Sequence, residues 1–356
     1  MSSPQQIKTT ATQLFNIKHP ILLAGMGSTS GGRLAAAITN AGGMGIIGGN
    51  GYTPEMLREE IVELKSHLHD KNAPFGVDLL IPQIGGNARK TNYDYNKGKF
   101  LELIDVMVET GCKLFVCAIG IPPQDAVDKL HKNGILYMNM VGHPKHVNKA
   151  LDRGADLICA QGGEGGGHTG DVPLSVLIPE VVRLCDQKIS SFTGKPVQVI
   201  AAGGISNGQT LAASLMLGAS AVWIGTRFIL AEESNASQAH RDAVQSAGFD
   251  DNIRTIIFSG RPLRVRNSPY INDWETNRQA EIKDLTSKGI LPVEHDFETK
   301  NLPDDVVDQA HPFLMGKVSA VVDELKPAKA IVDEIIQGAV ERLNAGNGLF
   351  VAKSKM

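Results

Sequence analysis

Short apolar runs recur along the chain, each followed by a stretch long enough for a helix. They are PILLAG (20–25), GMGIIGG (43–49), FGVDLLI (75–81), LFVCAIG (114–120), ILYMNMVG (135–142), DLICAQGG (156–163), VQVIAAGG (197–204) and AVWIGTRFIL (221–230). Most are continuously apolar, the pattern of parallel strands covered on both faces. The segments between them read as helices. Asn207 can cap a helix carrying Leu211, Leu215 and Met216, with Gly218 to end it, and RLAAAITNAGG has small apolar residues at helical spacing before a glycine stop. Eight strands alternating with helices predict an α/β fold, a closed (β/α)8 TIM barrel. An open doubly wound sheet competes; the count of eight and the glycine placement favour the barrel.

The pattern changes after the eighth run. Residues 231–310 hold 3 of the 38 glycines and 24 charged residues, and pieces such as SNASQAHRDAVQSAG and NDWETNRQAEIKDLTSKG read as short helices. The chain ends in KPAKAIVDEIIQGAVERLNAG, where Ile331, Ile335, Ala339 and Leu343 form one apolar stripe suited to a last barrel helix. The expected organisation is a barrel from 1–230 and 311–356, with a small helical lid subdomain, 231–310, inserted between strand eight and helix eight.

Composition narrows the function. With 356 residues, 35 basic against 38 acidic side chains and a net charge of -3, the chain is neither disordered throughout nor built for nucleic acid or an anionic membrane surface. No apolar run approaches the roughly 18 residues that span a bilayer. The four cysteines (Cys112, Cys117, Cys159, Cys185) form no CxxC pair and read as small buried hydrophobes in a reducing compartment. MSSPQQIKTTATQLFNIKHP resembles neither a secretory signal nor a transit peptide, and AKSKM is not a peroxisomal signal, so the cytoplasm is the expected location. Glycine stands out at 38 residues, above the usual ~7%.

Many of those glycines fall at strand C-terminal ends, where a barrel of this kind carries its active site. AAGGISNG (201–208) and IGTRF (224–228) follow strands seven and eight, where backbone N–H groups commonly hold phosphate; Gly203, Gly204, Gly225 and Thr226 are the candidate donors. QGGEGGGHTG (161–170) follows strand six. Its glycines allow backbone to lie along a ring system, and His168 is placed to take a proton near neutral pH. Glu164 fits a substrate-orienting role, solvent or a loop hydrogen bond, the last two favoured. His143 and His146 lack acidic or cysteine partners, so no metal site is expected. Arg261, Arg264 and Arg266 fit either an anionic ligand or a solvated lid face.

PILLAGMG, AGGMGIIGG, PFGVDLLIP, QGGEGGGHTG, VIAAGGISNG and WIGTRF, in this order over residues 20–230, together resemble the nitronate monooxygenase family, formerly the 2-nitropropane dioxygenases; SGRPLRVRN (259–267) resembles its lid. The resemblance implies an FMN-dependent (β/α)8 barrel. It implies that Gly25 and Met26 lie by the isoalloxazine, with Ala24 also in the cofactor-binding set, that Gln161, Gly166 and Gly167 line the flavin and substrate side, and that Gly203, Gly204, Gly225 and Thr226 hold the FMN phosphate. His168 matches the histidine that serves as base toward neutral nitroalkanes. Asp78 joins the cofactor-binding set as a departure, since many members carry asparagine there; an acid beside an anionic cofactor needs a donor partner or a raised pKa.

The implied reaction is oxidation of a nitronate, or of a nitroalkane after proton removal, by O2 to a carbonyl compound and nitrite. Relatives on the same barrel include FMN-dependent enoyl-thioester and NAD(P)H:quinone reductases, so a reductase is the alternative. A barrel that binds FMN or a sugar phosphate without turnover is a third reading, which the intact His168 stretch disfavours. The expected partners are a small-molecule nitronate or nitroalkane and O2. The oligomeric state is left open, with a homodimer as one option.

Overall fold

The computed structural model describes residues 4–350; the C-terminal AKSKM lies outside them. Eight parallel strands form one sheet: β1 Ile21–Leu23, β2 Gly45–Gly48, β3 Phe75–Leu80, β4 Leu114–Ala118, β5 Leu136–Val141, β6 Leu157–Gln161, β7 Gln198–Ala202 and β8 Ala221–Ile224. Every neighbour in space is a neighbour in sequence, and β8 returns to pair with β1. A parallel bridge between Leu22 and Met44 joins β1 to β2, with Leu23 N–H donating to Met44 O at 3.0 Å and Met44 N–H to Ile21 O at 2.9 Å. The sheet is therefore a (β/α)8 barrel, as the eight runs predict.

The continuous runs follow from two apolar environments rather than one. Leu22, Met44, Ile46, Leu114, Val116, Met138, Leu157, Cys159, Ile200 and Trp223 share the barrel interior. Their alternates, including Ile21, Leu23, Ile47, Phe115, Tyr137, Ile158 and Val199, pack outward against the helices. Ala11 and Phe15 of the helix Thr10–Phe15 join the interior cluster and close the N-terminal end. All four cysteines are buried and free.

The expected helix after β7 spans Gly208–Met216, and Asn207 caps it by accepting from Thr210 N–H at 3.0 Å. Gly218, at φ 100°, follows its end. The C-terminal helix Ala328–Asn347 buries Ile331, Ile335 and Ala339 against the barrel.

Between β8 and that last helix the chain builds a cap. It holds the helices Gln238–Gln245, Pro269–Asn277, Gln279–Lys288, Pro292–Thr299 and Asp304–Gln309. It also holds two strands absent from the sequence reading, Asn252–Thr255 and Leu263–Arg266, paired antiparallel. The cap has its own core around Trp274, Tyr270, Ile271, Ile257 and Leu285. Ala231 and Lys326 form a parallel bridge where the chain leaves and rejoins the barrel. We therefore propose residues 231–327 as the inserted unit, longer at its end than the 231–310 that composition marks. Among the described residues no helix is long and apolar enough to cross a membrane.

Candidate active site

The strand C-terminal ends and the cap enclose a cavity of about 1250 Å³. All twelve residues expected from sequence line it: Ala24, Gly25, Met26, Asp78, Gln161, Gly166, Gly167, His168, Gly203, Gly204, Gly225 and Thr226. A smaller cavity of about 520 Å³ opens elsewhere, lined by residues such as Thr10, Asp156 and Gln198 and by none of these twelve.

One wall of the large cavity is backbone. Gly203 and Gly204 follow β7 with φ of 84° and 73°, conformations that cost a residue with a Cβ about 1–2 kcal/mol. The N–H groups of Gly203, Gly204, Gly225 and Thr226 have no backbone acceptor among the described residues. Thr226 Oγ1 accepts from Gly316 N–H at 2.9 Å, which leaves its own proton to donate. Four N–H donors and a hydroxyl on adjacent loops suit a phosphate group.

The floor is set by Asp78, on the inner face of β3 at 6% exposure. A Cβ on Gly25 would overlap its carboxylate, so only glycine fits beside it. Asp78 Oδ1 is sealed from solvent and has no hydrogen-bond partner among the described residues. Burial pushes this carboxyl well above the usual carboxylate range. Its titratable neighbours are the Cys117 and Cys159 thiols, which burial and Asp78 also push up. Burial thus favours the neutral acid over the carboxylate here, and a neutral acid has a donor and an acceptor to offer. A heteroaromatic ring edge carrying both kinds of group would satisfy it.

The opposite wall is the loop after β6. Gly167–His168 forms a two-residue strand that pairs antiparallel with Leu263 and Arg264 of the cap. Gln161 Nε2 donates to His168 O at 2.9 Å, and Thr169 N–H donates to Pro262 O at 3.2 Å. His168 Nε2 lies 2.9 Å from Ser259 Oγ. Burial, with a smaller contribution from Arg261, pushes the His168 imidazole down to about 4. At neutral pH it is an uncharged base.

The three lid arginines divide. Arg264, 8% exposed, donates to Gly163 O at 2.9 Å and to Asn252 Oδ1 at 3.0 Å, fastening the glycine loop to the cap. Arg266 pairs with Asp251 at 3.4 Å. Arg261 lines the cavity, with Nε donating to Asn92 Oδ1 at 3.1 Å, and Arg89 stands beside it. Glu164 accepts from Leu174 N–H at 3.1 Å, at the start of the helix Leu174–Cys185, the loop hydrogen bond expected of it. The sequence reading missed Ser259 and the cavity-lining Leu314 and Gly316, which lie in 311–327. Glu281, His295 and Asp296 converge in the cap, but Asp296 is taken up by Arg278 and Lys300, so this cluster is an ion-pair network.

The family model described as nitronate monooxygenase matches residues 8–338. A probable nitronate monooxygenase of Staphylococcus saprophyticus is 30% identical over 75% of this chain and 81% of its own. An octahydroindene-carboxyl-CoA dehydrogenase of Mycobacterium tuberculosis is 29% identical over 97% of this chain and 99% of its own. Among solved structures, FabK from Thermotoga maritima superposes with a TM-score of 0.75 at 28% identity, covering 97% of this chain and all of that one. The barrel, the glycine wall and the histidine loop agree with this assignment: the chain belongs to the nitronate monooxygenase family of oxidoreductases.

Proposed function

We propose that the protein is an FMN-dependent oxidase of alkyl nitronates, and of nitroalkanes after proton removal. The observation that carries this reading is a half-buried imidazole, uncharged at neutral pH, at the wall of a glycine-lined cavity with an arginine beside it. The cavity fits the cofactor: Gly203, Gly204, Gly225 and Thr226 would hold the phosphate, Gly25, Met26, Gly166 and Gly167 would admit the ring, and Asp78 would meet its polar edge. Bound there, FMN would supply the redox chemistry between the nitronate and O2.

The protein's part is binding and proton transfer. His168 takes the α-proton of a neutral nitroalkane, a role open to it because it is unprotonated at neutral pH. Arg261, bonded to an amide oxygen rather than a carboxylate, keeps its charge available for the nitronate oxygens that develop as the proton leaves. The cap strand pairs with Gly167–His168, and the segment with Leu314 and Gly316 forms part of the cavity wall.

His168→Ala separates the two substrates. Steady-state oxidation of a nitroalkane should fall on the order of 10²-fold or more, while oxidation of the preformed nitronate should change far less. Equal rates for mutant and wild type on both substrates would remove His168 from the reaction.

A second reading, NAD(P)H-driven reduction of a thioester or quinone, draws on the cavity's size and on Lys149 and Arg153, which line it near β5. These two cations would suit a phosphate-bearing substrate or nucleotide.

A further inference from the structure

His168 stands on the cavity wall, yet its imidazole is held from behind by a residue of the cap. Ser259 lies in the stretch just before the strand Leu263–Arg266, is 6% exposed, and places Oγ 2.9 Å from His168 Nε2. The same Oγ is 3.3 Å from Arg261 O and 3.4 Å from Arg261 N. A hydroxyl has one proton to give and two lone pairs. Arg261 N–H must donate to it, and Arg261 O can only accept. If the hydroxyl gives its proton to Arg261 O, it accepts from both Arg261 N–H and His168 Nε2–H, and every group in the cluster is matched. If it gives its proton to His168 Nε2 instead, the half-buried Arg261 carbonyl loses that donor. The first arrangement puts the imidazole proton on Nε2.

The other ring nitrogen is treated differently. His168 Nδ1 has no hydrogen-bond partner among the described residues. Unlike His19 Nδ1 and His295 Nδ1, it is not sealed from solvent. It therefore opens on the cavity.

We propose that Ser259 is a positioning residue: by accepting the Nε2 proton of His168 it fixes the tautomer whose Nδ1 lone pair faces the substrate. This rests on the reading of His168 as the base toward nitroalkanes. In that step the substrate's α C–H bond breaks, the proton goes to Nδ1, and the electron pair stays on the substrate as the nitronate. The imidazolium so formed keeps its Nε2–H bond to Ser259, so the same contact that sets the tautomer supports the protonated product. Because Ser259 belongs to the cap and His168 to a barrel loop, the base has the correct tautomer only when the cap strand is docked on Gly167–His168.

The test combines nitrogen NMR with kinetics on the flavin-loaded protein, with histidine labelled with 15N and His168 assigned by its loss in His168→Ala. Wild type should show a pyrrole-like Nε2 and a pyridine-like Nδ1 for His168. Ser259→Ala should mix or invert the two and lower kcat/KM for a nitroalkane about tenfold or more, with nitronate oxidation nearly unchanged. Ser259→Thr, which keeps the hydroxyl, should restore both signatures. A pyrrole-like Nδ1 in wild type, or a Ser259→Ala protein with the wild-type nitrogen shifts, overturns the proposal. If neither substrate is consumed by wild type, the reaction assigned to the site fails, and the nitrogen shifts still decide what Ser259 does.

Discussion

In the C-terminal half of β3, a carboxyl group points into an otherwise largely apolar barrel interior. Asp78 is 6% exposed and Oδ1 is unpartnered, so ionisation there has nothing to offset the loss of water. Burial raises this carboxyl well above the ordinary carboxylate value of 3.8, so the folded protein binds the proton more tightly than the unfolded chain does. A group whose folded pKa is raised contributes stability that is present below the unfolded value and lost as pH rises, about 1.4 kcal/mol per pH unit until the folded value is reached. Asp78→Asn keeps the shape, a donor and an acceptor, and removes that titration. Urea denaturation at pH 5 and pH 8 should show wild type losing more stability over this interval than Asp78→Asn does. Parallel losses would mean that Asp78 is ionised or solvated in the folded state. Asp78 was legible as a departure at a strand end; that nothing in the protein pairs with it depends on β4, β6 and the Gly25 turn, which no local pattern reports.

Among the elements, the strands were the most legible, because each apolar run serves two packed faces and needs no partner to be recognised. The helix Gly208–Met216 was legible for a different reason, its Asn207 cap and Gly218 stop. Its packing was not. Gly208 touches Gly338 and Ala339 of the C-terminal helix so closely that a Cβ would overlap both. Gly208→Ala should force these helices apart and destabilise the protein by about 1–3 kcal/mol despite alanine's better helix propensity, measurable as a lowered urea midpoint. An unchanged or raised midpoint would contradict the close approach. The cap strands escaped the sequence reading because the alternation of Leu263–Arg266 lasts only four residues and lies inside a charged region. Their pairing partner, Gly167–His168, lies almost a hundred residues earlier. Ser259 was missed for the same reason: a serine in a charged segment becomes informative only when a fold brings an imidazole to it.

Taken as a whole, the molecule places a cationic cavity in a chain of net charge -3. Arg89, Arg261, Lys149 and Arg153 line it against Glu164 and Asp78, whose ionisation burial disfavours. Such a field draws anions to a site whose base is itself uncharged, which suits a nitronate and equally suits a phosphorylated cosubstrate. The family, the barrel and the position of the site therefore do not choose the electron donor. Anaerobic titration of the flavin-loaded protein does so most directly, with propionate-3-nitronate in one cuvette and NADH or NADPH in another, following the flavin band. A nitronate oxidase should be bleached by the nitronate and not by the nicotinamides; bleaching by a nicotinamide alone would contradict that function and assign the protein to the reductases of this fold.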